Sequence, residues 1–176
     1  INIYIYIMLY TDVSKRGQHG GDILWTMHTH TPEVVAISCR KEGLVCGLSQ
    51  YAMDLGGISY HEFEHATKKG SDVCQRLVKD LGPVNKVILL RNHGPITVGK
   101  TVYEAFFLMY QLVEACRVQV NVFTNQESSY YKVDQKIVEE TYKIVQNNYT
   151  GEPFGKLEWE AAKRKMELEQ GLDYQS

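Results

Sequence analysis

No Cys-x-x-Cys pair, no Gly-x-Gly-x-x-Gly fingerprint and no internal repeat occur in this chain. Its four cysteines, Cys39, Cys46, Cys74 and Cys116, are scattered, three of them inside apolar segments where a free thiol packs as a small hydrophobe. That usage fits a reduced, cytoplasmic protein and argues against a disulfide framework. Runs of one charge are missing too. Nineteen Lys and Arg face 21 Asp and Glu, for a net charge of −2, and the basic clusters Lys68-Lys69 and Lys163-Arg164-Lys165 are short. Without a sustained basic stripe, nucleic acid is excluded as the main partner. No apolar stretch reaches the roughly 20 residues of a transmembrane helix. Residues 1–10 alternate Ile and Tyr but lack the basic start and small-residue cleavage site of a leader, and they read as a strand or a drifted helix.

What remains is a globular composition, 44% hydrophobic and 23% charged over 176 residues, enough for one domain with a real core. Strand and helix signals alternate. Residues 23–27 form an apolar run into Met27-His28-Thr29-His30-Thr31-Pro32. Thr31 suits a helix N-cap, Pro32 the first helical position and Glu33 the positive helix end, with the helix stopping at Gly43. A strand is expected at 44–48, a short helix near 50–55 and a strand at 57–60. An amphipathic helix over 71–81 ends at Gly82-Pro83. The apolar run 87–90 reads as a strand that 96–98 continues. Thr101 caps the longest apolar helix, 102–123, whose polar residues Glu104, Gln111, Glu114, Arg117 and Asn121 fall on roughly one stripe. Two charged amphipathic helices, 132–146 and 157–170, follow, the second anchored by Trp159 and Met166.

The histidines carry the chemistry. Alternate side chains of a strand share a face, so His28 and His30 would project together, and His93 follows another apolar strand. Neutral imidazole is a common ligand of divalent transition metals, and three such ligands leave an open position of the catalytic type. Both sites fall at carboxyl ends of strands, where open α/β sheets place ligands. The competing reading is that His28-x-His30 carries no function and that His93 is a turn histidine bonded to a backbone carbonyl.

The segments His28-Thr-His-Thr31, Leu48-Ser-Gln50, Ile58-Ser-Tyr-His61, Val87-Ile-Leu-Leu-Arg-Asn-His-Gly94 and Val98-Gly-Lys-Thr-Val-Tyr-Glu-Ala-Phe106, in this order and spacing, resemble the class II aldolase/adducin family. Arg91-Asn-His-Gly94 and the helix from Glu104 to Val120 resemble the adducin head domain most. The resemblance implies an α/β, three-layer aldolase-type fold, a central mainly antiparallel or mixed sheet flanked by helices. It also implies Zn2+ held by His28, His30 and His93, a proton-donating Tyr60 if the chain is active, a small hydroxy-carbonyl ligand, and a homo-oligomer, in this family a tetramer. Adducins further imply actin–spectrin partners and a cytoskeletal location, through a basic tail that does not occur before Ser176. Residues 1–125 are expected to form the family domain without its N-terminal part, and 126–176 a helical extension packing on it.

The front of the chain departs from the pattern. Leu9 stands where catalytic members carry an acid/base glutamate, and Asp12 and Asp22 are the only carboxylates before His28. No Gly-rich phosphate segment precedes them, and Pro95 replaces a larger apolar residue. Three readings follow: an adducin-like, non-catalytic metal-binding scaffold or interaction module; a zinc-dependent lyase or epimerase acting on a sugar phosphate or related hydroxy-carbonyl compound; and a degenerate relative with neither role. They rank in that order.

Overall fold

A computed structural model describes residues 25–63, 71–123, 130–148 and 153–171. The alternating segment 1–10, the carboxylates Asp12 and Asp22, and Lys68-Lys69 lie outside the described residues. Four short strands, β1 (Trp25–His28), β2 (Ile58–His61), β3 (Val87–Leu90) and β4 (Gly94–Gly99), form one mixed sheet in the order β1-β4-β3-β2. β4 runs antiparallel to both β1 and β3, whereas β2 and β3 are parallel. The carboxyl ends of β1, β2 and β3 therefore share one end of the sheet.

Residues 87–98 correct the reading of a single interrupted strand. The chain reverses over Arg91-Asn92-His93, with Leu90 opposite Gly94, so β3 and β4 make a hairpin. Asn92 supplies the reversal at φ +58, a left-handed conformation that Asn tolerates better than most residues.

Helices cover both faces. On one side α3 (Ser71–Leu81) presents Leu77, Val78 and Leu81 to Ile88, Leu90, Ile96 and Val98. On the other, α1 (Pro32–Ser38) and α4 (Val102–Phe123) enclose Val34, Ile37, Val87, Leu89, Leu108, Leu112 and Cys116. α2 (Gln50–Met53) adds Ala52 to this core, and α5 (Gln135–Asn148) and α6 (Lys156–Gln170) follow α4 in the chain. Trp159 of α6 meets Phe106 edge-on at 5.2 Å, the anchor expected of it, and Met166 is half-buried.

The expected strand at 44–48 is instead an extended turn leading into a 3-10 helix, Cys46–Leu48. Its backbone is paired to side chains. The Leu44 N–H donates to the Tyr60 hydroxyl (2.9 Å) and the Val45 N–H to Gln119 Oε1 (2.8 Å), while Gln119 Nε2 donates to the Gly43 carbonyl (2.8 Å).

Buried polar residues of α4 are likewise partnered. Glu104 accepts from Lys86 Nζ (2.5 Å) and from the Lys100 N–H (2.6 Å). Gln111 Nε2 donates to Asp54 Oδ2 at 3.0 Å, but Asp54 Oδ1 and Gln111 Oε1 are buried with no partner among the described residues. A carboxylate there has two acceptor oxygens against one donor pair, and burial raises the Asp54 pKa to about 6. One added proton on Oδ1 could donate to Gln111 Oε1 and close an acid–amide ring.

The pH consequence has a definite sign. With its folded pKa above the unfolded value of 3.8, Asp54 binds more protons in the native state, so its contribution to stability improves as pH falls through 6 towards 4. Asp54→Asn reproduces the closed ring without a charge. The variant should be more stable than wild type at pH 8 by on the order of 2–3 kcal/mol, an advantage that shrinks below pH 6. Urea denaturation of both proteins at pH 8, 6 and 4.5 measures the difference.

Candidate functional site

His28 is the last residue of β1, His30 stands in the link to α1, and His93 closes the β3–β4 turn. β4 separates β1 from β3, so the histidines meet because the hairpin turn passes over the start of β4 towards the end of β1. Their Nε2 atoms converge: His30 Nε2 lies 2.9 Å from His28 Nε2 and 2.8 Å from His93 Nε2. One ligand atom from each residue lies within 4.8 Å of the others, and no other Cys, Asp or Glu joins a group of this kind among the described residues. Ligands 2.0–2.1 Å from a tetrahedral ion sit about 3.3 Å apart. The two measured separations, 2.8 and 2.9 Å, are a few tenths of an ångström shorter than that.

The protonation states suit this use. His28 Nδ1 lies 2.7 Å from the Pro95 carbonyl, which can only accept, so Nδ1 carries the proton and Nε2 presents its lone pair to the cluster. Metal-binding histidines are held by outer contacts of this kind. Burial lowers the pKa of His28 below the usual histidine value, against the pull of the Pro95 contact, and His30 lowers it further. His93 is lowered by burial and then by His28 and His30. Three imidazole nitrogens brought together, with His28 held in the tautomer that leaves Nε2 free, are a donor set that Zn2+ takes, so the residues fit the ion.

Two supporting features were not legible beforehand. The Pro95 carbonyl, in a residue singled out only as a departure, orients His28. Gly94 packs so closely that a Cβ would stand 2.3 Å from the Thr29 carbonyl oxygen and 3.4 Å from His30 Cδ2. The glycine after the histidine was its only signal.

Tyr60 is not brought to the three histidines within the chain. It pairs with Leu89 and packs on the core shared with α1 and α4. His28 pairs with Ile96, whose side chain faces α3. The Tyr60 hydroxyl accepts from the Leu44 N–H, and Arg91 lies over its ring at 4.3 Å. Burial pushes its pKa up, opposed by the Leu44 contact. At the same sheet end, buried His61 bonds Asp80 Oδ2 through Nδ1 at 2.6 Å, a pairing the sequence did not suggest.

A mixed sheet with a three-imidazole cluster at its carboxyl end defines an aldolase-type α/β domain. Comparison with known proteins makes this specific. The chain belongs to the family described as Class II Aldolase and Adducin N-terminal domain, which matches residues 18–120. It is 39% identical to alpha-adducin of Mus musculus over 99 residues, 56% of this chain and 13% of that protein. It is 29% identical to an adducin-related protein of Schizosaccharomyces pombe over 151 residues, 83% of this chain and 45% of that one. The crystal structure of an aldolase II superfamily protein from Pseudomonas syringae superposes with a TM-score of 0.74 at 27% identity, covering 85% of this chain and 59% of that one. The chain thus spans about an eighth of the mouse adducin's length.

Gly94→Ala sets a methyl against backbone that cannot rotate aside. The substitution should cost about 1–3 kcal/mol, as overpacking does. A drop in urea midpoint, with changed imidazole signals of His30 in NMR, is the expected result.

Proposed function

We propose that this domain is an adducin-like, metal-binding scaffold whose three histidines hold one Zn2+ and which does not turn over substrate rapidly. The observation that carries the metal reading is the convergence of three imidazole nitrogens, with His28 fixed in tautomer by Pro95. The scaffold reading draws on the likeness to adducin and on the place of Tyr60, which lies on the far side of the sheet from His28, its hydroxyl accepting from the Leu44 N–H. Leu9, where the family resemblance calls for an acid/base glutamate, cannot move a proton.

A bound zinc ion supplies Lewis acidity towards the oxygens of a hydroxy-carbonyl ligand. The chain's own residues bind and orient: His28, His30 and His93 hold the ion, the Pro95 carbonyl keeps the proton on Nδ1 of His28, and Gly94 lets the two histidine segments approach. The domain acts as a homo-oligomer, a tetramer in this reading, in the cytoplasm beside the actin–spectrin cytoskeleton. No described helix is long and apolar enough to cross a membrane.

The second reading is a zinc-dependent lyase or epimerase for sugar phosphates, favoured by the same three histidines. One experiment separates the two. Purified protein should bind zinc, and His93→Ala should weaken binding by more than the ~10–100-fold typical of losing an outer contact. Aldol-cleavage assays on several sugar phosphates, with zinc supplied, should give slow or no turnover. Turnover above about one per second, lost in His93→Ala, would establish the enzyme instead. Light scattering at micromolar concentration should report an oligomer, and a stable monomer would contradict that part of the proposal.

A further inference from the structure

Three contacts from the residues before His93 land on three consecutive residues at the end of α1. Arg91 Nη1 donates to the Arg40 carbonyl at 2.6 Å and Nη2 to the Lys41 carbonyl at 3.3 Å. Asn92 Nδ2 donates to Cys39 Sγ at 3.3 Å. The guanidinium carbon of Arg91 lies over the Tyr60 ring, 4.3 Å from its centroid, so the fork is also held from the ring side. These carbonyls follow the last helical turn of α1, where a cation is also favoured by the helix dipole.

The other end of α1 belongs to the site. His30 stands two residues before Pro32, with Thr31 as the N-cap. Thr31 Oγ1 is tied to Thr29 Oγ1 at 3.1 Å, and Thr29 Oγ1 donates to Met109 Sδ of α4 at 3.6 Å. Between its ends α1 is seated firmly, with Val34, Ile37 and Ser38 buried. Seven helical residues make a strut roughly 10 Å long. The strut carries His30 at its entrance, and the turn that bears His93 is fastened to its exit.

From this geometry we infer that Arg91 is a positioning residue: through the end of α1 it sets His93 relative to His30, and so sets the affinity of the site for a divalent ion. The inference rests on the metal reading above. Neither Arg91 nor Asn92 touches the cluster itself. Without the fork, the His93 turn keeps its hairpin bonds but loses its tie to the element that carries His30, and the third imidazole is no longer preorganised.

The test measures zinc affinity by competition with a chromogenic chelator, beside thermal stability, for wild type, Arg91→Ala, Arg91→Lys, Asn92→Gly and Lys86→Ala. Arg91→Ala should raise the zinc Kd about 10–100-fold, the usual cost of losing an outer-shell contact. Arg91→Lys keeps the charge and the stem but not the planar fork, so it should fold and fall between the two. Asn92→Gly keeps the left-handed turn without the Cys39 contact and should give a smaller rise. Lys86→Ala breaks the ion pair with Glu104 before β3, so it should lower stability and leave Kd unchanged. Wild-type affinity in both Arg91 variants overturns the inference and leaves the metal reading standing. A wild-type protein that binds no zinc overturns both. Should Arg91→Ala fail to fold, Arg91→Lys decides alone: a Kd within threefold of wild type overturns the inference.

Discussion

The organisation of this domain depends on one requirement, that α4 be covered on nearly every side. Val102–Phe123 is apolar around most of its circumference, and its polar residues Glu104, Gln111 and Gln119 are buried as well. A buried polar group without a partner costs about 1–3 kcal/mol, and the polar side chains of this helix reach partners on other elements. Glu104 reaches Lys86, Gln111 reaches Asp54, Gln119 holds Gly43 and Val45, and Arg117 bridges Glu33 and Glu114. These contacts fix how the sheet, α1, α2 and the 43–45 turn sit against the helix. The histidine cluster inherits its rigidity from that arrangement, because α1 packs on α4.

Much of this was legible in advance, and the reasons are physical. The helices at 71–81 and 102–123 carry strong periodicity and clear boundaries, Gly82 for the first and Thr101 for the second, and they occupy the expected residues. Thr101 Oγ1 does accept the Glu104 N–H at 3.1 Å. His28 and His30 were readable from strand alternation, and the mixed α/β sheet from family resemblance.

The misreadings share a cause. Residues 44–48 have strand-like composition, but their hydrogen-bond partners are side chains from β2 and α4 that only the fold brings near. The hairpin at 91–93 lacks the Asn-Gly or Asp-Gly doublet that announces a tight turn, and apolar residues on both sides made it look continuous. Tyr60 matches the family in residue type, and what the sequence alone could not show is that its hydroxyl accepts from the backbone of Leu44. Alternation along β2 decides that outcome, since a one-residue shift would send the ring to the other face.

The convergence of His30 and His93 spans 63 residues of chain. An ion held between them is therefore a cross-link as well as a ligand. It closes a long loop that includes α1, β2, α3 and β3, and closing such a loop is among the costliest steps in chain entropy. An ion that binds the folded site and not the open chain shifts the equilibrium by mass action. With an ion bound, the cluster would act as a clasp between the end of β1 and the β3–β4 turn, whether or not any substrate is ever turned over.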